Sequence, residues 1–225
     1  MTVVIVAAVV LGFSRSFFLR PLFPGVHAPT EIFFYIHGTV FALWLALLAT
    51  QASLVNAGNV ALHRTLGIAG FVMVPLMVVL GLIAGAIAAH RPGGFIDIPV
   101  PPLQFLIVPY VGIALFAIFT GTGLALRGHP MAHKRLMLLG TIVIAEAGIA
   151  RWPFEPYISV PPLATWTTAA LVLPIAIWDF YSTRRIHPAT AFGAVVLFAD
   201  GPVRDWISHT APWLAFAKWA TGLVG

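Results

Sequence analysis

From Thr65 to His90 the chain runs without a charged side chain, and most of its other long stretches repeat the pattern. Apolar residues continue for some twenty positions, then give way to a short connector holding Arg, Lys, His or Pro. A helix crossing the hydrocarbon core of a bilayer needs about 20 mainly apolar residues. Lipid offers the backbone no hydrogen bonds, so such segments must be helices that satisfy their own N–H and C=O groups. The expected fold is therefore an all-α, polytopic membrane bundle of about seven spans with short loops, one transmembrane domain over residues 1–225.

Composition narrows the function classes. Charged residues make up 8% of the chain, where a soluble domain carries roughly 25%, so the connectors leave no room for a soluble catalytic domain. The net charge of +5 is spread singly or in small groups between apolar runs, the pattern of topology determinants rather than of a nucleic-acid surface. The chain has no cysteine, which excludes thiol chemistry and iron–sulfur ligation by its own residues.

Taken in order, residues 1–19 form a short first span with no basic n-region or A-x-A site, and are not read as a removable signal peptide. Thr30 is expected to cap a second span over about 31–55, with Glu31 in its first turn. The third span covers about 65–90 and carries Gly81 and Gly85, whose spacing lets a neighbouring backbone approach closely. Pro75 is expected to kink it, in the manner of prolines inside helices. A fourth span runs from Leu103 to about Leu126, a fifth from Lys134 to about Pro153, a sixth from about Leu163 to Ser182. A weaker seventh, over 187–209, is broken up by Asp200, Gly201, Pro202, Arg204 and Asp205. The last segment, 211–225, suits a helix lying in the membrane interface.

The stretch Arg127–Arg151 organises the rest. It joins a basic, histidine-bearing turn to an apolar span with one carboxylate, Glu146, near its middle. Internal echoes surround it: Gly58 with His63 and Arg64 matches Gly128 with His133 and Lys134, and Arg91 precedes Val100-Pro101-Pro102-Leu103 as Arg151 precedes Val160-Pro161-Pro162-Leu163. Duplicated helix hairpins within 56–182 would account for both. The basic connectors at Arg64, at Arg127 to Arg135 and at Arg184 to Arg185 place themselves and the N-terminus on the cytoplasmic side.

Four histidines are the candidate cofactor ligands, because neutral imidazole is the usual axial ligand of haem iron. His37 lies inside the second span and His90 at the outer end of the third. His63 and His133 lie at the opposite ends of the third and fifth. Two near each face is what a two-haem electron path requires. The plainer reading is that His63, His90 and His133 meet headgroups. Glu146 is the candidate proton carrier, since an ionisable group inside a span faces a partner or a cavity; Arg151, His37 and Gln51 are its candidate partners. Asp179 with Arg184, and Asp200 with Arg204, are candidate ion pairs.

His37-Gly38, the run LHRTLG at 62–67, and AHKRLMLLG at 132–140 followed by Arg151 resemble a family of bacterial multi-spanning membrane proteins. That resemblance implies a bundle in the bacterial inner membrane and no particular activity. The chain is also similar, more loosely, to transmembrane b-type cytochromes, which implies haem b or quinone and electron transfer. In those cytochromes the ligands lie within facing spans, whereas here three of the four lie at span ends. Two other roles fit the composition: a non-enzymatic accessory subunit whose partners are other membrane subunits, and a small-solute transporter using Glu146 and the broken seventh span.

Overall fold

The structure is a computed structural model that describes residues 1–154, 157 and 162–224. Every regular element among them is helical. Helix α1 covers Thr2–Phe13 and runs into a π-turn at Ser14–Phe18; α2 covers Ile32–Asn56, α3 Val60–Gly67 and α4 Ala69–His90. Next come α5 Pro102–Phe105, α6 Ile107–Ala125 and α7 Pro130–Ile149, then α8 Pro162–Ala170, α9 Leu173–Thr183, α10 Pro188–Ser208 and α11 Ala211–Gly222.

Four helical stretches are long and apolar enough to cross a bilayer: Ile32–Asn56, Val60–His90, Pro102–Ala125 and Pro162–Thr183. They mark the chain as a membrane protein. The expected count of seven goes beyond these four for a physical reason in each remaining case. Thr2–Phe18 is short, α7 carries Lys134, Arg135 and Glu146, and α10 carries Asp200, Arg204 and Asp205.

Local chemistry sets several boundaries. The third expected span begins five residues earlier than its apolar run, because the Asn59 side chain accepts the Leu62 N–H at 3.1 Å and caps α3. Glu31, not Thr30, is the cap residue of α2, and its carboxylate accepts the Thr30 N–H at 2.9 Å. Pro202 sits inside α10 without ending it. The expected interruption of that segment is thus a continuous helix, in which Arg204 meets Asp200 and Glu146.

Helix α7 is the centre of the bundle. It buries Leu136, Leu139, Ile142, Val143, Ala145 and Ile149, so its apolar contacts run all round rather than along one stripe, as in a helix with neighbours on every side. Lipid provides little hydrophobic drive for helix association, so close packing of small residues and a few polar contacts do that work. Against α6, a Cβ at Gly140 would stand 2.5 Å from Thr120 Cγ2. Against α1, a Cβ at Gly148 would stand 2.8 Å from Val9 Cα, and one at Gly12 would run into the Gly148 carbonyl. The Gly81 and Gly85 pair does the same for α4 on α6, where added Cβ atoms would meet Ile113 at 3.0 Å and Tyr110 at 2.9 Å.

Two tryptophans fasten the layers. Trp44 of α2 is fully buried, lies edge-on to Phe116 and donates to Thr141 Oγ1 at 3.2 Å. Trp152 donates to the Ala8 carbonyl at 3.0 Å. At the chain's end α11 packs on α4 and α5 through Ala217 and Ala220, and Trp213 donates to the Leu103 carbonyl at 2.9 Å. Its Phe216, Trp219 and Leu223 remain exposed.

Candidate functional site

Three polar constellations interrupt this apolar bundle, and all three include a residue of α7. The first is a buried ion pair. Arg135 grips Asp179 of α9 with two guanidinium nitrogens, Nε reaching Oδ2 at 3.1 Å and Nη2 reaching Oδ1. Asp179 Oδ2 also accepts the Thr190 hydroxyl at 2.6 Å and the His187 N–H at 3.1 Å. Arg135 Nη1 donates to the Met131 carbonyl at 2.6 Å. The carboxylate is fully satisfied, and the knot joins α7, α9 and the start of α10. Asp179 was expected to pair with Arg184. That residue instead closes α9 with a left-handed φ of 56°, which takes it off the helix face.

The second constellation surrounds Glu146. Its carboxylate accepts Arg204 Nη1 at 2.9 Å, Arg204 Nη2 at 2.8 Å and the Thr165 hydroxyl at 2.5 Å. The partners are therefore on α10 and α8, and none of Arg151, His37 and Gln51 takes the place expected of it. Arg204 Nε lies 3.2 Å from Asp200 Oδ2, one helical turn back. The expected Asp200 and Arg204 pair is present, but as part of a larger group of one guanidinium, two carboxylates and one hydroxyl.

The third constellation is a pair of histidines. His63 of α3 and His133 of α7 stand with ring centroids 6.3 Å apart and planes at 80°. His133 Nδ1 lies 2.7 Å from the Gly123 carbonyl; a carbonyl only accepts, so Nδ1 carries the hydrogen and Nε2 keeps its lone pair. His63 Nδ1 lies 2.6 Å from the Gln51 amide, which donates to it while its oxygen accepts the Gly67 N–H at 2.8 Å. In that state His63 carries its hydrogen on Nε2. The two rings thus offer one donor and one acceptor.

The other two candidate histidines are not brought together. His37 stacks on Phe41 with centroids 4.2 Å apart, and its Nδ1 is buried without a partner among the described residues. His90 is exposed at the end of α4. Among the described residues no group of three or more His, Cys, Asp or Glu side chains could hold a bare metal ion.

Of these residues, Gln51 and the Asp200 and Arg204 pair were visible as polar positions in apolar segments. Thr165 and Thr190 were not, because a hydroxyl in a helix can bond to its own backbone and carries no sequence signal of a distant partner. The fold and the polar groups together define a helical membrane protein with two intrabundle Arg and carboxylate knots and a facing pair of imidazoles. No family model, no curated protein and no solved structure matches the chain.

Proposed function

We propose that the chain is an integral membrane electron-transfer protein that holds one b-type haem between His63 and His133. The ring spacing carries this reading. The ring centroids stand 6.3 Å apart, a separation at which both imidazoles would reach one iron through metal–nitrogen bonds of about 2 Å.

The chain's own residues fit the group. His133 already has its hydrogen on Nδ1, held by the Gly123 carbonyl, the arrangement that orients a metal-bound imidazole and raises its basicity. Beside His63, the Gln51 amide can turn over and accept from Nδ1, which moves the ligand lone pair to Nε2. Helix α3 buries no residue, so this edge of the bundle can part to admit a flat macrocycle. Haem bound there supplies one-electron exchange. Its place at one end of α7 suits exchange with a donor at that membrane face, either soluble or another membrane subunit.

The same reading takes α1, α7 and α10 as further spans, giving about seven, with α11 lying in the interface of a bacterial inner membrane. Glu146 of α7 faces Arg204 of α10 and Arg135 of α7 faces Asp179 of α9, and intramembrane charges are tolerated when paired inside a bundle.

The test is a reduced-minus-oxidised visible spectrum of protein purified in mild detergent after expression with haem supplied. Sharp α and β bands at near-stoichiometric haem, lost in both His63→Ala and His133→Ala, are expected. A featureless spectrum at full haem supply overturns the reading.

A second reading, a quinone at the same two histidines, is favoured by their tautomers. His63 Nε2–H suits a quinone oxygen and the His133 Nε2 lone pair suits a quinol hydroxyl. Solvent-extractable quinone in the purified protein, absent from His133→Ala, distinguishes it.

A further inference from the structure

We propose that Asp200 is a proton-binding site that takes up a proton in preference to Glu146 beside it, which remains the carboxylate that pairs with Arg204. The inference does not depend on any cofactor at the histidine pair.

The charges do not balance. Arg204 is the single cation of the group, and it faces two acids, Glu146 and Asp200. All three side chains are largely shut off from solvent, at 5%, 13% and 8% exposure. With both acids ionised, one net negative charge would lie buried among α7, α8 and α10. A carboxyl group in that position takes up a proton rather than remain charged without a partner.

The hydrogen bonds decide which acid takes it. Glu146 accepts three, two of them from the guanidinium in the bidentate geometry that matches a carboxylate. Asp200 accepts none among the described residues. Its one close cationic neighbour is Arg204 Nε, which is buried and lies within ion-pair reach but out of hydrogen-bond alignment. A side chain 4% exposed therefore directs an unmet donor at an acid that makes no hydrogen bond. The charged groups that face Asp200 are Arg204 of its own helix and Glu146 of α7. α8 contributes only the neutral Thr165, already committed to Glu146.

The proton need not be fixed. Rotation that aligns Arg204 Nε with Asp200 Oδ2 gives the acid a charged donor and favours release. Uptake and release then depend on a side-chain adjustment within one helical turn. The ligand is a single proton, exchanged between water and the bundle interior.

Infrared spectroscopy of the whole protein in detergent tests this. At mildly acidic pH, above the range of ordinary carboxylates, the wild type is expected to show the C=O stretch of a protonated carboxylic acid, shifted in heavy water and lost on alkaline titration. Asp200→Asn is expected to remove the band with the helical amide signal unchanged. If that variant does not fold, Glu146→Gln serves: with one acid gone, Arg204 pairs with Asp200 alone, which ionises, and the band is again lost. A wild type without the band at mildly acidic pH, or a band that survives either substitution, overturns the proposal.

Discussion

Arg135 and Asp179, 44 residues apart in the chain, meet as a two-pronged ion pair with side chains 2% and 0% exposed. The carboxylate takes a hydroxyl and a backbone N–H besides, so neither charge is left in an apolar setting unmatched. Removing one partner of such a pair costs far more than the pair contributes, since the other remains buried and uncompensated.

Asp179→Ala is therefore expected to destabilise the bundle by about 3–5 kcal/mol. The double variant Arg135→Met with Asp179→Leu should recover most of that loss. Denaturant unfolding in a fixed detergent, followed by tryptophan fluorescence, measures both. Equal losses in single and double variants would refute the pairing.

At the junction of α1 and α7 the backbones approach so closely that no side chain fits. Gly12→Ala should cost about 1–3 kcal/mol as the helices are forced apart, and α1 should become open to proteolysis. Gly121→Ala in α6 meets nothing within 4 Å. It should be neutral or stabilise by up to about 1 kcal/mol through helix propensity. Thermal melts of the two variants side by side give the comparison.

Acidification should loosen the start of α10. His187 caps that helix by accepting the Ala189 N–H on Nδ1 at 3.1 Å, which only the neutral ring can do. Burial, then the positive charges of Arg135 and Lys134, hold its pKa below the ordinary 6.5, with Asp179 pulling the other way. A histidine whose folded value is depressed adds stability that is whole above the unfolded pKa of about 6.5 and is lost as pH falls from there through the folded value. Amide exchange at Ala189 and Thr190 should quicken over that window. In His187→Asn, which caps without titrating, it should not.

Among the histidines, His90→Ala should leave bound haem at wild-type amounts, because His90 is exposed at the far end of α4. His133→Ala should reduce it at least tenfold. Equal loss in both would point to a general folding defect, which size-exclusion profiles would reveal.

The central role of α7 was legible in the sequence, where one apolar run holds an acid in its middle and arginines at its ends. The Gly81 and Gly85 contact with α6 was legible too, because a four-residue spacing fixes a helix face, whereas the contacts of Gly12, Gly140 and Gly148 were not. Partner choice was not. Glu146 was expected to pair with neighbours in α2 or at its own C-terminal end, whereas its cation comes from a helix whose charges read as an interruption. Local hydropathy counts every charge as a cost and cannot register that two costs cancel when the helices meet. Asp179 was assigned to Arg184 by nearness in sequence, and the left-handed turn that removes Arg184 leaves no mark in composition. The four histidines looked like two matched pairs by depth. Depth says nothing of the azimuth around each helix, which is what sets His63 against His133 and leaves His37 and His90 apart.

The two knots on α7 also impose an order on the chain's assembly. Arg135 waits for Asp179 over 44 residues and Glu146 waits for Arg204 over 58. At a synthesis rate of roughly 5–20 residues per second, α7 is made several seconds before Arg135 or Glu146 can meet its partner. A chain cut before α10 leaves Glu146 without Arg204, so the final third of the sequence completes the polar knots of the middle third.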